Sequence, residues 1–334
     1  MKKALLMLAF VLVCIGAVFA GDANDGGRYI VLSTARTKTL RAELDSALAQ
    51  GYGLVAGDPS GKILVLEKRA ASDQRKYQVS DNIYQTIKKN EYKGYRVLPW
   101  SFSDSHGSWA AMLESLTEGE PQPEYKLAST VYTRNLQKDI TEASAGGYRA
   151  IAMAGLEGQG ALLEKMPGAT TASASYELLA TKKISTMEKE IAASAAKGFK
   201  VIAATGAGNE ILVLMESLPE GESKREYKVV STMRTSRFAQ EINEAAAQGY
   251  RIVPQTGAAL KKGGFMTGGT YGYEQAIVME KRPDAPAIRY MFLGAQREST
   301  VQRELNATPP QCSITTMFLT YQELATVLGC VGER

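Results

Sequence analysis

The sequence predicts an α+β protein made of six tandem βαββ units, each a small sheet with one helix on one face. Three recurrences predict it. A tyrosine-led stretch opens each copy, clearest at Tyr29-Ile-Val-Leu-Ser-Thr, Tyr125-Lys-Leu-Ala-Ser-Thr and Tyr227-Lys-Val-Val-Ser-Thr, and weaker at Tyr77, Tyr176 and Tyr290. Twenty-two residues after four of these tyrosines stands a Gly-aromatic pair: Gly51-Tyr52, Gly147-Tyr148, Gly198-Phe199 and Gly249-Tyr250. The Tyr77 copy reaches Gly94-Tyr95 after seventeen. These five copies then close on an apolar run ending in Glu67, Glu114, Glu164, Glu216 or Glu280.

The opening stretch is β-branched and near-alternating, the mark of a half-buried strand. The middle is helical by period. Leu40, Leu44 and Ala47 fall at i, i+4 and i+7, as do Leu136, Ile140 and Ala143, and Phe238, Ile242 and Ala245. That spacing puts each trio on one face of an amphipathic helix. Ile83 and Ile87 keep the same distance to Gly94, so the shorter second copy loses its residues in the strand-to-helix loop. Ser185 with Glu188, and Ser299 with Gln302, read as capping boxes. The glycine before each aromatic suits the left-handed position that ends a helix. The closing runs, such as Ile63-Leu-Val-Leu and Ile211-Leu-Val-Leu-Met, are apolar on both faces and must be covered on both sides. One helix covers one side, so another unit covers the other, and the expectation is sheets packed in pairs.

Polar linkers rich in Pro and Gly separate the units. The division is 28–70, 76–117, 124–167, 175–218, 226–283 and a divergent sixth copy over 288–332. In the sixth, Cys312 and Cys330 fall at the start of the second strand and the end of the third, which antiparallel pairing brings together. A Cys312–Cys330 disulfide is expected, because residues 1–20 read as a secretory signal. Lys2 and Lys3 form its basic end, Ala4 to Gly16 its apolar run, and Val18-Phe19-Ala20 its cleavage site. The apolar run is short of the ~20 residues that a spanning helix needs. The mature chain is therefore expected in the periplasm or outside the cell, with no membrane span.

The signature appears as Gly-Tyr-Arg at Gly94, Gly147 and Gly249, and as Gly-Phe-Lys at Gly198. With the βαββ pattern and the closing apolar strand, it resembles the bacterial domain family of unknown function numbered 4177. Modules of that family carry a helix ending in a Gly-Trp-Glu-like signature. The resemblance spans nearly all of the mature chain and implies the fold; the family name carries no activity.

Composition narrows the function. With 39 basic and 35 acidic residues the net charge is +4, too small to suggest a nucleic-acid partner. One histidine and three cysteines argue against a zinc cluster, and no cofactor is expected. The acids that recur in the helices and at the strand ends serve the fold, since a catalytic pair is needed once. One-off features are better candidates. The hairpin of the second copy, Trp100-Ser-Phe-Ser-Asp-Ser-His-Gly-Ser-Trp109, holds both tryptophans and the only histidine. The fifth copy carries a glycine-rich hairpin insertion, Tyr227 to Glu280 spanning 53 residues against 40 from Tyr176 to Glu216. Trp100, Phe102, His106 and Trp109, with Phe265, Tyr271 and Tyr273, are thus the expected ligand contacts. The function expected is an exported, non-enzymatic binding or scaffold protein of the envelope, its partner a protein or glycan. The alternative is a carboxylate-dependent hydrolase or lyase with its site between repeats.

Overall fold

The computed structural model describes residues 27–34, 36–58, 60–70, 75–105, 108–155, 158–168, 174–207, 209–262, 272–282, 284–295, 297–319 and 324–332. The expected leader lies outside them, as do His106, Phe265 and Tyr271. The first unit runs β1 (Tyr29–Ser33), α1 (Thr37–Ala49), β2 (Tyr52–Asp58) and β3 (Ile63–Lys68). The second has β4 (Tyr77–Ser80), α2 (Ile83–Lys88), β5 (Tyr95–Val97), β6 (Ser103–Ser105) and β7 (Ser108–Ser115). The third has β8 (Glu124–Thr130), α3 (Thr133–Ala145), β9 (Arg149–Gly155) and β10 (Gln159–Lys165). The fourth has β11 (Tyr176–Thr181), α4 (Ile184–Ala196), β12 (Phe199–Ala207) and β13 (Glu210–Ser217). The fifth has β14 (Tyr227–Thr232), α5 (Thr235–Ala247), β15 (Tyr250–Ile252), β16 (Ala258–Lys262) and β17 (Gly272–Lys281). The sixth has β18 (Ile288–Ala295), α6 (Glu298–Asn306), β19 (Cys312–Leu319) and β20 (Leu324–Val331).

In every unit the closing strand lies central and antiparallel to both others, giving the order β1-β3-β2 and its equivalents. That is why the closing runs are apolar on both faces: Leu64, Val65 and Leu66 are fully buried, as are Leu212, Val213 and Leu214. The helix faces read from the periodicity are buried too, and Gly147 ends α3 at φ +86° in the left-handed region. The two capping boxes are not formed. Helices α4 and α6 begin after Lys183 and Arg297, which donate no side-chain cap. Glu188 and Gln302 point to the neighbouring unit instead.

That reach is a rule of the fold. In four helices the residue after the first core position meets the next unit's first strand two residues past its tyrosine. Arg41 donates to Val79 O at 2.7 Å; Gln137 accepts from Leu178 N at 2.6 Å, Glu188 from Val229 N at 3.4 Å and Gln302 from Val31 N at 2.9 Å. Asn243 brackets the main chain of Tyr290 at 2.8 Å on both sides, and Asn306 does the same for Tyr29 at 2.7 and 2.9 Å. These side chains satisfy the open edge of the first strands β1, β4, β11, β14 and β18, edges that otherwise invite aggregation. Since α6 belongs to the last unit and β1 to the first, the six units close into a ring.

On the inner side the second strands meet one another: β9 meets β12, β12 meets β16, β16 meets β19 and β19 meets β2. The sheets therefore do not pack in pairs. Each helix is covered partly by the first strand of the following unit, a head-to-tail contact, and such contacts propagate until they close.

Cys312 and Cys330 are cross-strand partners and are joined as a disulfide, 18 residues apart in sequence. Both are buried where the last unit meets the first. Alkylation of the unreduced protein after unfolding in denaturant, followed by mass spectrometry, is expected to label neither Cys312 nor Cys330; labelling of both would refute the bridge.

Candidate functional site

The ring repeats one polar device at its joints. Tyr125 Oη accepts from Val97 N of the preceding unit at 2.9 Å and donates to its own closing Glu164 at 2.9 Å. Tyr176 does this with Ala150 N and Glu216, both at 3.0 Å, and Tyr227 with Val201 N at 3.0 Å and Glu280 at 3.5 Å. Burial first, then the Glu280 charge, pushes the Tyr227 hydroxyl up to about 12. Opposite each of these closing glutamates the second strand supplies a base: Arg96 faces Glu114, Arg149 faces Glu164, Lys200 faces Glu216 and Arg251 faces Glu280. Arg149 also reaches Glu216 of the next unit at 2.5 Å. Burial alone would raise the Glu216 carboxyl; the Arg149 guanidinium, with Tyr176 and Lys200, holds it below the ordinary range instead. The recurring glutamates are parts of the joints.

The device breaks where the chain closes on itself. Gly53 stands opposite Glu67, and Ser313 opposite Gly329, so units one and six lack the long basic side chain. A cavity of about 420 Å³ opens there, where units six, one and two meet. It is lined by Tyr29, Leu54, Glu67, Arg69, Arg96, Trp100, Glu114 and Ser313, among others. Arg69 lies across Gly53, where a Cβ would stand 2.4 Å from its Cδ. A base thus enters from the linker because the strand offers none. Tyr29 is buried, yet its hydroxyl meets no partner in hydrogen-bonding geometry among the described residues. Burial, and then the Glu67 charge, pushes it up to about 12.

Both carboxylates of the cavity are ion-paired, Glu114 buried and Glu67 partly exposed. Glu67 is paired with Arg28 at 2.6 Å, and Glu114 with Arg96 at 2.5 Å and with the Tyr77 hydroxyl at 3.1 Å. General acid–base chemistry wants two carboxyls in unlike environments; here each is paired with an arginine. Among the described residues no group of three or more His, Cys, Asp and Glu side chains could hold a metal.

Trp100 reaches the cavity because of a proline. Four second strands carry a one-residue bulge, at Val55, Ile151, Ile202 and Thr315. In units two and five a proline, Pro99 or Pro254, follows the corresponding residue. A proline offers no N–H to the ladder, so the strand breaks. In unit two the chain makes a 3-10 turn over Pro99–Ser101, which carries Trp100.

The other expected contacts are placed elsewhere. Phe102 and Trp109 are buried, stacked on each other at 5.5 Å between centroids, inside the joint of units two and three. They are core residues and present no open surface, because Trp109 covers Gly160 of the next unit so closely that a Cβ there would stand 2.8 Å from the ring. Tyr273 is placed as a strand position opposite Lys261 in β17. The residues missed by sequence reasoning are Arg69, Glu67, Gly53 and Ser313.

No protein family, curated protein or solved structure matches the chain.

Proposed function

We propose that the chain is an exported, non-enzymatic binding protein of the envelope, and that it holds a neutral polyhydroxylated ligand, a sugar or short glycan, against Trp100. The observation that carries this is the cavity itself, formed where the repeat departs from its own pattern. Its volume falls in the range of small-molecule sites. A tryptophan offers a flat apolar face for a sugar ring, and planar guanidinium and carboxylate groups bond to vicinal hydroxyls. Two arginines and two glutamates balance in charge, which favours a neutral ligand over an ion. The buried Tyr29 hydroxyl adds a polar atom to the wall beside Glu67.

A second reading, a hydrolase, is favoured by one observation: Glu67 and Glu114 come from two units into one cavity. One experiment separates the two. The mature protein is titrated with neutral mono- and disaccharides by tryptophan fluorescence and calorimetry. Saturable binding is expected for at least one sugar, with the fluorescence change lost in Trp100→Phe and affinity lowered about tenfold or more in Arg69→Ala. No binding by any neutral sugar would overturn the ligand class. Hydrolysis of a glycoside, abolished by Glu67→Gln or Glu114→Gln, would replace binding by catalysis.

A further inference from the structure

In each unit the first strand ends, and its helix begins, at the same edge as the hairpin joining the last two strands. Each helix meets the first strand of the following unit, in four cases in one register, so the helix starts share one edge of the ring. The cavity, beside the opening tyrosine Tyr29 and the closing Glu67, belongs to the opposite edge.

The helix-start edge has two properties that stability does not ask for. The first is charge. From two residues before each helix to its third residue, the six segments hold eight basic residues and two acidic ones, Asp81 and Glu298. Four of the N-cap residues are Arg36, Lys183, Arg234 and Arg297, none forming a side-chain cap, and all four are exposed. A helix start favours Ser, Thr, Asp or Asn and repels cations, so a base there works against the helix. None of these four makes an ion pair among the described residues. In sequence the hairpin-tip segments at this edge add Lys62, Lys261 and Lys262 against Asp58, Asp104, Glu157, Glu210, Glu274 and Glu323, which lowers the excess of base without changing its sign.

The second property is apolar exposure. Among the described residues six large apolar side chains stand exposed, and four are in these segments: Tyr84 at 49%, Val131 at 65%, Tyr132 at 68% and Met233 at 61%. Bases attract any polyanion. Isolated apolar tips set among them gain from insertion only where the anion is a lipid surface with an acyl layer beneath. We propose that this edge of the ring docks on an anionic bilayer surface, with the apolar tips entering the headgroup layer and the cavity facing away from it. Nothing in this depends on what the cavity binds.

The test is co-sedimentation of the full mature protein with vesicles of phosphatidylcholine alone or with phosphatidylglycerol added. Binding is expected only with the anionic lipid, weakening as salt rises. Charge reversal at Arg36, Lys183, Arg234 and Arg297 to Glu should lower the partition at least about tenfold. So should Tyr132→Asp with Met233→Asp, while circular dichroism and cavity binding stay unchanged, since all these side chains are exposed. The apolar pair is the decisive arm. If its variant binds anionic vesicles as well as wild type does, or if the protein is retained on heparin but ignores vesicles, the surface is a polyanion site and the proposal fails. Equal binding to neutral vesicles would also overturn it.

Discussion

Trp109→Ala is expected to lower the stability of the folded ring by about 3–5 kcal/mol, the usual cost of truncating a large buried aromatic. The residue fills the joint between units two and three. It stacks on Phe102, belongs to the core cluster that includes Val97, Ala111 and Tyr125, and lies over Gly160. Collapse around the void is restricted, because Gly160 is pinned in register on both sides by β8 and β9. Gly160→Ala attacks the same contact from the other side and should also destabilise, since its Cβ would overlap the indole. Urea unfolding of the two variants checks this. Trp100→Ala, which shortens a half-buried residue at a cavity wall, should cost distinctly less. If Trp109→Ala melted like wild type and Trp100→Ala did not, the roles given to the two tryptophans would be exchanged.

The contrast between these tryptophans marks how far sequence reasoning reaches. Periodicity located the buried faces of α1, α3 and α5, since Leu40, Leu136 and Phe238 are needed for burial and burial imposes spacing. The doubly apolar closing strands required cover on both sides and received it. Pairwise packing was a misreading because the sequence does not say which surface of a unit meets the next. That information lies in single polar residues, Gln137, Asn243, Gln302 and Asn306, whose partners are main-chain atoms far along the chain. A hydrogen bond to a backbone leaves no trace in the partner's identity. Likewise Glu188 and Gln302 stood at capping-box spacing, yet an edge strand at the neighbouring unit claimed them.

The cavity was legible in part. Alignment of the copies puts Gly53 and Ser313 where the others have Arg or Lys, a departure visible without a structure. The inward turn of Trp100 was not, because it depends on Pro99 breaking a strand whose counterparts only bulge. Phe102 and Trp109 looked like surplus aromatics on a hairpin, and only the glycines of the third unit, Gly158 and Gly160, reveal the space made for them.

Ring closure gives the second large effect. Gln302→Ala with Asn306→Ala removes the partners of Val31 N, Tyr29 N and Tyr29 O. Each such group left partly buried and unpaired costs about 1 kcal/mol or more, so a loss of about 3 kcal/mol is expected. Asn243→Ala is the control. It removes the same two-sided bracket, from Tyr290, at a joint that the chain already holds together through the linker between units five and six. The contacts made by Asn306 join residues 277 apart in sequence. Losing them should give the first unit a free end, as in an open array whose terminal repeats fray first. Hydrogen exchange of the β1 amides should therefore quicken sharply in the double variant, with β8 and β11 little changed, while Asn243→Ala quickens β18 only modestly. Uniform acceleration across all six first strands would mean that the ring opens as one cooperative unit. Unchanged exchange in β1 would mean that the apolar contacts of Tyr29, Val301 and Leu305 close the ring without the polar latch.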